Sequence, residues 1–212
     1  MIRWDAITGN LPLIGQKLVE HLALTVTAVL VGLLLSFVAV LAIRRWRFLA
    51  GPITGIAGVI YTVPSLALLA FLVPITRLTF TTAEIALVGY TLLILIRNLL
   101  AGLDAVPADS LEAADAMGYS PTRRLWQVEL PLALPVIAAG IRIATVTTIG
   151  LVMVTAVIGQ GGLGQVMLRG YNFRNDTLVL AGFVLTVALG IAADLALGWA
   201  GRRLSPWAAA RT

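Results

Sequence analysis

Five apolar runs of membrane length fix what this chain can fold into. They cover residues 21–43, 52–73, 82–103, 135–158 and 177–200, and a hydrocarbon core about 30 Å thick takes roughly 20 apolar residues per helix. Lipid offers a backbone no hydrogen-bond partner, so such segments are helical. The third run is the weakest, because Arg97 and Asn98 interrupt it. The expected fold class is an all-α polytopic membrane protein with about five transmembrane helices. Composition points the same way: the chain is 59% hydrophobic and 12% charged, with mean hydropathy +0.98, where a soluble domain is about a quarter charged. Residues 1–18 read as a segment outside the membrane or at its surface, 19–200 as the transmembrane domain and 201–212 as a tail. The end of "WDAITGNLPLIGQKLVE" is expected to lie as an amphipathic helix on the membrane. No cleavable leader is expected, since Asp5, Lys17 and Glu20 fall in the first twenty residues.

Several chemistries drop out. There are no cysteines, which removes disulfides, thiol catalysis and cysteine-held metals. The single histidine, His21, opens the first run at the interface and reads as structural. No acid–base pair or nucleophile constellation stands out, so no catalytic residue is assigned. The net charge of +5 is accounted for by attraction to anionic membrane lipids, and nucleic acid is not a needed partner.

Basic residues orient membrane helices, concentrating on the cytoplasmic side. With the N-terminus outside, Arg44, Arg45, Arg47, Arg123, Arg124, Arg202, Arg203 and Arg211 fall inside, against Arg3, Lys17, Arg77, Arg169 and Arg174 outside. The C-terminus is then cytoplasmic, and so is the polar loop 104–134. Its local signals read as two short helices around a turn. Asp109 and Glu112 have capping-box spacing, Gly118 suits a left-handed helix end, and Ser120-Pro121 suits a helix start. Leu130-Pro131 and Pro135 should redirect the chain into the fourth span. Leu111, Met117, Tyr119, Leu125 and Trp126 would leave so small an element in need of a partner.

In this loop Glu112-Ala113-Ala114, three residues, Gly118, nine residues and Val128-Glu129-Leu130-Pro131 follow one another. The string resembles the EAA loop of ABC importer permeases, with Val128 in place of isoleucine. The resemblance implies a type I ABC importer permease fold. It also implies that Glu112, Ala113, Ala114, Gly118, Val128, Leu130 and Pro131 dock an ATPase subunit. A phosphate-binding loop would need a glycine-rich turn ending in Gly-Lys-Ser/Thr, and the only lysine, Lys17, has none. No cofactor is therefore expected on this chain; ATP and Mg belong to a partner ATPase dimer. An extracytoplasmic substrate-binding protein and a second permease copy or paralogue complete the implied assembly.

"GQGGLG", residues 159–164, matches a dinucleotide fingerprint. That fingerprint works only between a strand and a helix, and here it follows an apolar span. It resembles instead the glycine run after the penultimate span of osmoprotectant and methionine importers, from which Gln160 departs. Gly159, Gly161, Gly162 and Gly164 would let backbones approach near an outer gate. "YTVPSLALLAFLVP", "LIRNLLAGL", "GIRIATV" and "RRLSP" are similar to permeases for glycine betaine, carnitine and choline; methionine-type permeases are the alternative. Pro64 is expected to kink the second span. Arg97 is expected to pair with Asp104 or Asp194. Few aromatic residues lie within the spans, so selectivity for a quaternary ammonium ion should reside mainly in the binding protein.

Overall fold

The computed structural model describes residues 4–209, and Arg3, Arg211 and Thr212 lie outside them. Every regular element among the described residues is helical. A short α1 (Trp4–Thr8) leads into α2 (Leu11–Arg45), a single helix of 35 residues. Residues 11–20, expected to lie on the membrane as a helix of their own, are therefore the first turns of α2. Pro12 sits in the first turn, where its missing N–H needs no partner, and the helix continues unbroken into the apolar run.

The second apolar run is the main departure from the sequence reading. It forms α3 (Ala50–Thr62) and α4 (Ser65–Thr76), bent by 100° at the break between them. Val63 is extended, as a residue before proline is pushed to be, and Pro64 caps α4 without offering a donor. Pro64 thus stops a helix rather than kinking one. The carbonyl of Val63 accepts the Tyr90 hydroxyl, which satisfies a group that the break would otherwise strand.

Helix α5 (Phe80–Asp104) is the centre of the bundle and packs against α2, α3, α4 and α8 (Leu130–Val152). Thr79 caps it by accepting from the Thr82 N–H. Close approach to α8 depends on Gly140, where a Cβ would meet Asn98 Cβ at 2.4 Å. Helix α10 (Asp176–Leu204) packs on α8 and on α9 (Leu163–Asn172). Three clusters fill the bundle among the described residues, the smallest holding Ile14, Leu163, Val166 and Leu178. Of the larger two, one holds Val40, Ile43, Leu99, Leu103, Val106 and Ile137 at the loop end. The other holds Leu24, Leu69, Leu87, Val152 and Ile158 at the opposite end.

Leu30, Leu34, Val38, Val184, Ile191 and Leu195 are exposed, a density of outward apolar residues suited to hydrocarbon and not to water. Among the described residues four helices are long and apolar enough to cross a membrane, five if the bent pair α3–α4 counts as one span.

Candidate functional site

The loop between α5 and α8 begins with α6 (Ala108–Ala116). Pro107 occupies its cap position, so the box expected from Asp109 and Glu112 does not form; Asp109 lies inside the first turn. The other end follows the sequence closely. Gly118 has φ +72, its N–H donates to Asp115 O at 2.9 Å, and the Tyr119 N–H donates to Ala114 O at 3.1 Å. These two bonds close a Schellman motif. Ser120 Oγ then accepts from the Arg123 N–H at 3.3 Å and starts α7 (Pro121–Arg124).

No second turn follows. A π turn (Leu125–Glu129) leads straight into α8, so Pro131 and Pro135 do not redirect the chain as the sequence suggests. The wider turn places Pro131 in the first turn of α8, where a missing donor is tolerated.

One ion network fastens this loop to the bundle. Glu129, 2% exposed, is ion-paired with Arg44 of α2 and accepts from Arg124 Nε at 3.0 Å. Arg124 Nη1 in turn donates to both carboxylate oxygens of Asp115, at 2.8 and 2.6 Å. A buried carboxylate is tolerable when its lone pairs are taken up in this way. Leu111 and Leu125 pack into the core beside it. Ala114 is buried at the root of α6, while Glu112, Ala113, Met117 and Trp126 remain exposed. Val128, Leu130 and Pro131 are half-buried at the entry to α8. Of these residues Arg44, Arg124 and Glu129 carry no assignment from sequence. The available signal was an acid in an unspecified motif position beside two basic pairs.

At the far end of α2 the glycine segment is held just as closely. After a 3-10 turn (Val154–Ile158), Gly159, Gly161 and Gly162 all have positive φ. Glu20 Oε1 accepts the N–H groups of Gly161 and Gly162, each at 3.3 Å, and its other oxygen pairs with Lys17. His21 is fully buried rather than interfacial. Its Nδ1 accepts from the Leu163 N–H at 3.3 Å, so its Nε2 donates to Ile149 O at 3.0 Å. Both ring nitrogens are thus occupied by backbone. A Cβ at Gly162 would meet His21 Cβ at 2.5 Å, and one at Gly164 would meet Met153 O at 2.6 Å. Backbones pack closely at Gly161, Gly162 and Gly164, whereas Gly159 has open space around it.

The intramembrane pairing differs from expectation. Asp194 is bound by Arg142, through Nε and Nη2 to its two oxygens. Arg97 is exposed and has no acidic partner among the described residues. The Arg142 guanidinium lies beside Gly198 of α10, where a Cβ would make ordinary contact with Nη1 at 3.4 Å.

Residues 28–206 match the family described as binding-protein-dependent transport system inner membrane component. The chain belongs to this family. Both the α5–α8 loop and the glycine segment lie within the matched residues, whereas Glu20 and His21 precede them. Among its relatives, the glycine betaine/carnitine/choline transport system permease protein OpuCD of Bacillus subtilis is 38% identical over 192 residues, covering 90% of this chain and 84% of that protein. The choline transport system permease protein OpuBB of the same organism is 37% identical over 190 residues, covering 90% and 88%. The osmoprotectant import permease protein OsmW of Salmonella typhimurium is 36% identical over 180 residues, covering 82% and 84%. The fold is that of a solved inward-facing form of the MetNI methionine ABC transporter, with TM-score 0.80 and 24% identity over 92% of this chain and 97% of that one. This family member is a multi-pass transport permease.

Proposed function

We propose that this chain is the membrane subunit of an ATP-driven importer for small quaternary ammonium osmoprotectants such as glycine betaine, carnitine or choline. What carries the transport half of this reading is the α5–α8 loop. Its outward face presents Glu112, Ala113, Met117 and Trp126, while Gly118, Ala114 and the Glu129 network hold that face rigidly on the bundle. A small rigid element with exposed apolar residues suits docking on a separate ATPase subunit, where ATP and Mg would bind. What supports the substrate half is the osmoprotectant named in each of the three relatives. Likeness to the methionine transporter, at 24% identity, speaks to fold.

In this reading two permease chains, identical or paralogous, sit on two ATPase subunits, with the N-terminus outside and the C-terminus in the cytoplasm. Closure of the ATPases draws the two loops together and turns the cavity outward toward a binding protein; reset after hydrolysis releases solute inward. The Gly159–Gly164 segment and the α3–α4 break at Pro64 are the elements assigned to the outer gate and its packing. The test is uptake of labelled glycine betaine, carnitine and choline by the complex reconstituted in liposomes. Uptake should require both binding protein and ATP. Uptake of methionine with indifference to the other three would overturn the substrate assignment.

A further inference from the structure

Near the middle of the bundle, α8 and α10 carry a charge pair that hydrocarbon cannot solvate. Arg142 lies twelve residues after Leu130, about 18 Å along α8, and Asp194 lies ten residues before Leu204, about 15 Å from that end of α10. Their side chains are 42% and 36% exposed. The fork between them uses two of the five N–H donors of the guanidinium. Donors and lone pairs left over would cost several kcal/mol each if they faced lipid tails. At similar depth, since Asn98 packs on Gly140, Arg97 is also exposed and unpaired among the described residues. Beside the Arg142–Asp194 pair opens a cavity of about 350 Å³, walled otherwise by Ala139, Ile143, Val146 and Thr147. That volume is within the usual range for small-molecule sites.

We propose that Arg142 and Asp194 line the water-filled path through the membrane and together recognise the opposite charges of a zwitterionic solute. With no solute present, each charge satisfies the other. A passing betaine offers a carboxylate to the guanidinium and a quaternary ammonium to Asp194, exchanging one balanced arrangement for another. Apart from Thr147 the other walls are aliphatic, with no aromatic side chain among them to cage the cation, so the solute is registered without being trapped. Choline has no carboxylate; it engages Asp194 alone and leaves Arg142 uncompensated. Recognition of a zwitterion rests on the osmoprotectant reading above, whereas the water-lined path does not.

Because the chain has no cysteines, Ile143→Cys and Val146→Cys each place one thiol in this chain. In the reconstituted complex both should be modified by a charged, membrane-impermeant thiosulfonate, read as a mass shift of this subunit. Protection of both thiols in the folded complex, with full modification after denaturation, overturns the water-lined path. Arg142→Gln should then lower uptake of glycine betaine and carnitine by roughly tenfold or more relative to choline. An equal fall for all three makes the pair a structural clamp and overturns the zwitterion assignment. If Arg142→Gln fails to assemble, competition decides with the cysteine variants: glycine betaine, with binding protein and ATP, should slow labelling of Ile143→Cys more than choline does. Equal slowing counts against the assignment. A wild-type complex that takes up none of the three overturns the osmoprotectant reading and the zwitterion assignment with it, while labelling still decides the path.

Discussion

Arg44, in the last turn of α2, is ion-paired with Glu129, the residue at the end of the π turn that leads into α8. Glu129 occupies an unspecified position of the loop pattern, yet it is almost wholly buried and held from its other side by Arg124. Removing it leaves Arg44 without its carboxylate and Arg124 with Asp115 alone.

Glu129→Ala should therefore destabilise the protein by about 3 kcal/mol, the low end for breaking a buried pair. Arg44 is one-third exposed, and Arg124 keeps Asp115, which limits the loss. Thermal unfolding of the purified subunit reads this directly. A variant as stable as wild type would count against the network as an anchor.

The glycine segment allows a paired comparison. At Gly162 an added Cβ runs into the backbone of His21, 2.6 Å from its Cα, at φ +50. Gly162→Ala should cost about 2–5 kcal/mol from overpacking and left-handed strain together. Gly159 has φ +78 but open space around it, so Gly159→Ala should cost only about 1–2 kcal/mol. Equal melting temperatures for the two variants would contradict this account.

In the loop proposed to dock the ATPase, Gly118→Val forces a β-branched residue to φ +72, while Glu112→Lys reverses a charge on the exposed face. Both variants should insert normally and lose the ATPase during detergent purification, or lose ATP-coupled uptake. Wild-type uptake in both would remove the loop from coupling.

Tyr90→Phe deletes the hydroxyl that caps the Val63 carbonyl. Leaving that carbonyl unsatisfied should cost about 1–3 kcal/mol and speed amide hydrogen exchange at the start of α4. Unchanged exchange there would mean the bond does not hold the break together.

A reporter active only outside the cytoplasm, fused after Thr212, should be silent. Strong activity would overturn the orientation inferred from Arg44, Arg45, Arg47, Arg123, Arg124, Arg202 and Arg203 on one side.

Helix existence was legible wherever an apolar run was long and free of proline, as in Phe80–Asp104 and Asp176–Leu204. The run at 52–73 misled because apolar periodicity cannot distinguish a kinked helix from two helices; the restriction that Pro64 places on Val63 decided it. The start of α2 was hidden because Lys17 and Glu20 read as residues facing water, whereas both are helical: Lys17 pairs with Glu20 one turn on, and Glu20 reaches across to the glycine segment. Within the loop, Gly118 and Ser120 act through neighbours in sequence and could be read locally. Glu20, Glu129 and the Arg142–Asp194 pair act through residues distant in sequence, and no local pattern marks such contacts.

Both ends of α2 are fastened to segments that the proposed function makes moving parts. Glu20 and His21 grip the glycine segment, and Arg44 grips Glu129. Twenty-four residues separate Glu20 from Arg44, about 36 Å of continuous helix, with no proline after its first turn. Such a rod has no joint in which to lose a displacement along its axis. A shift of the α5–α8 loop by an ångström would arrive at the glycine turn as a shift of similar size, like a pushrod between a cam and a valve.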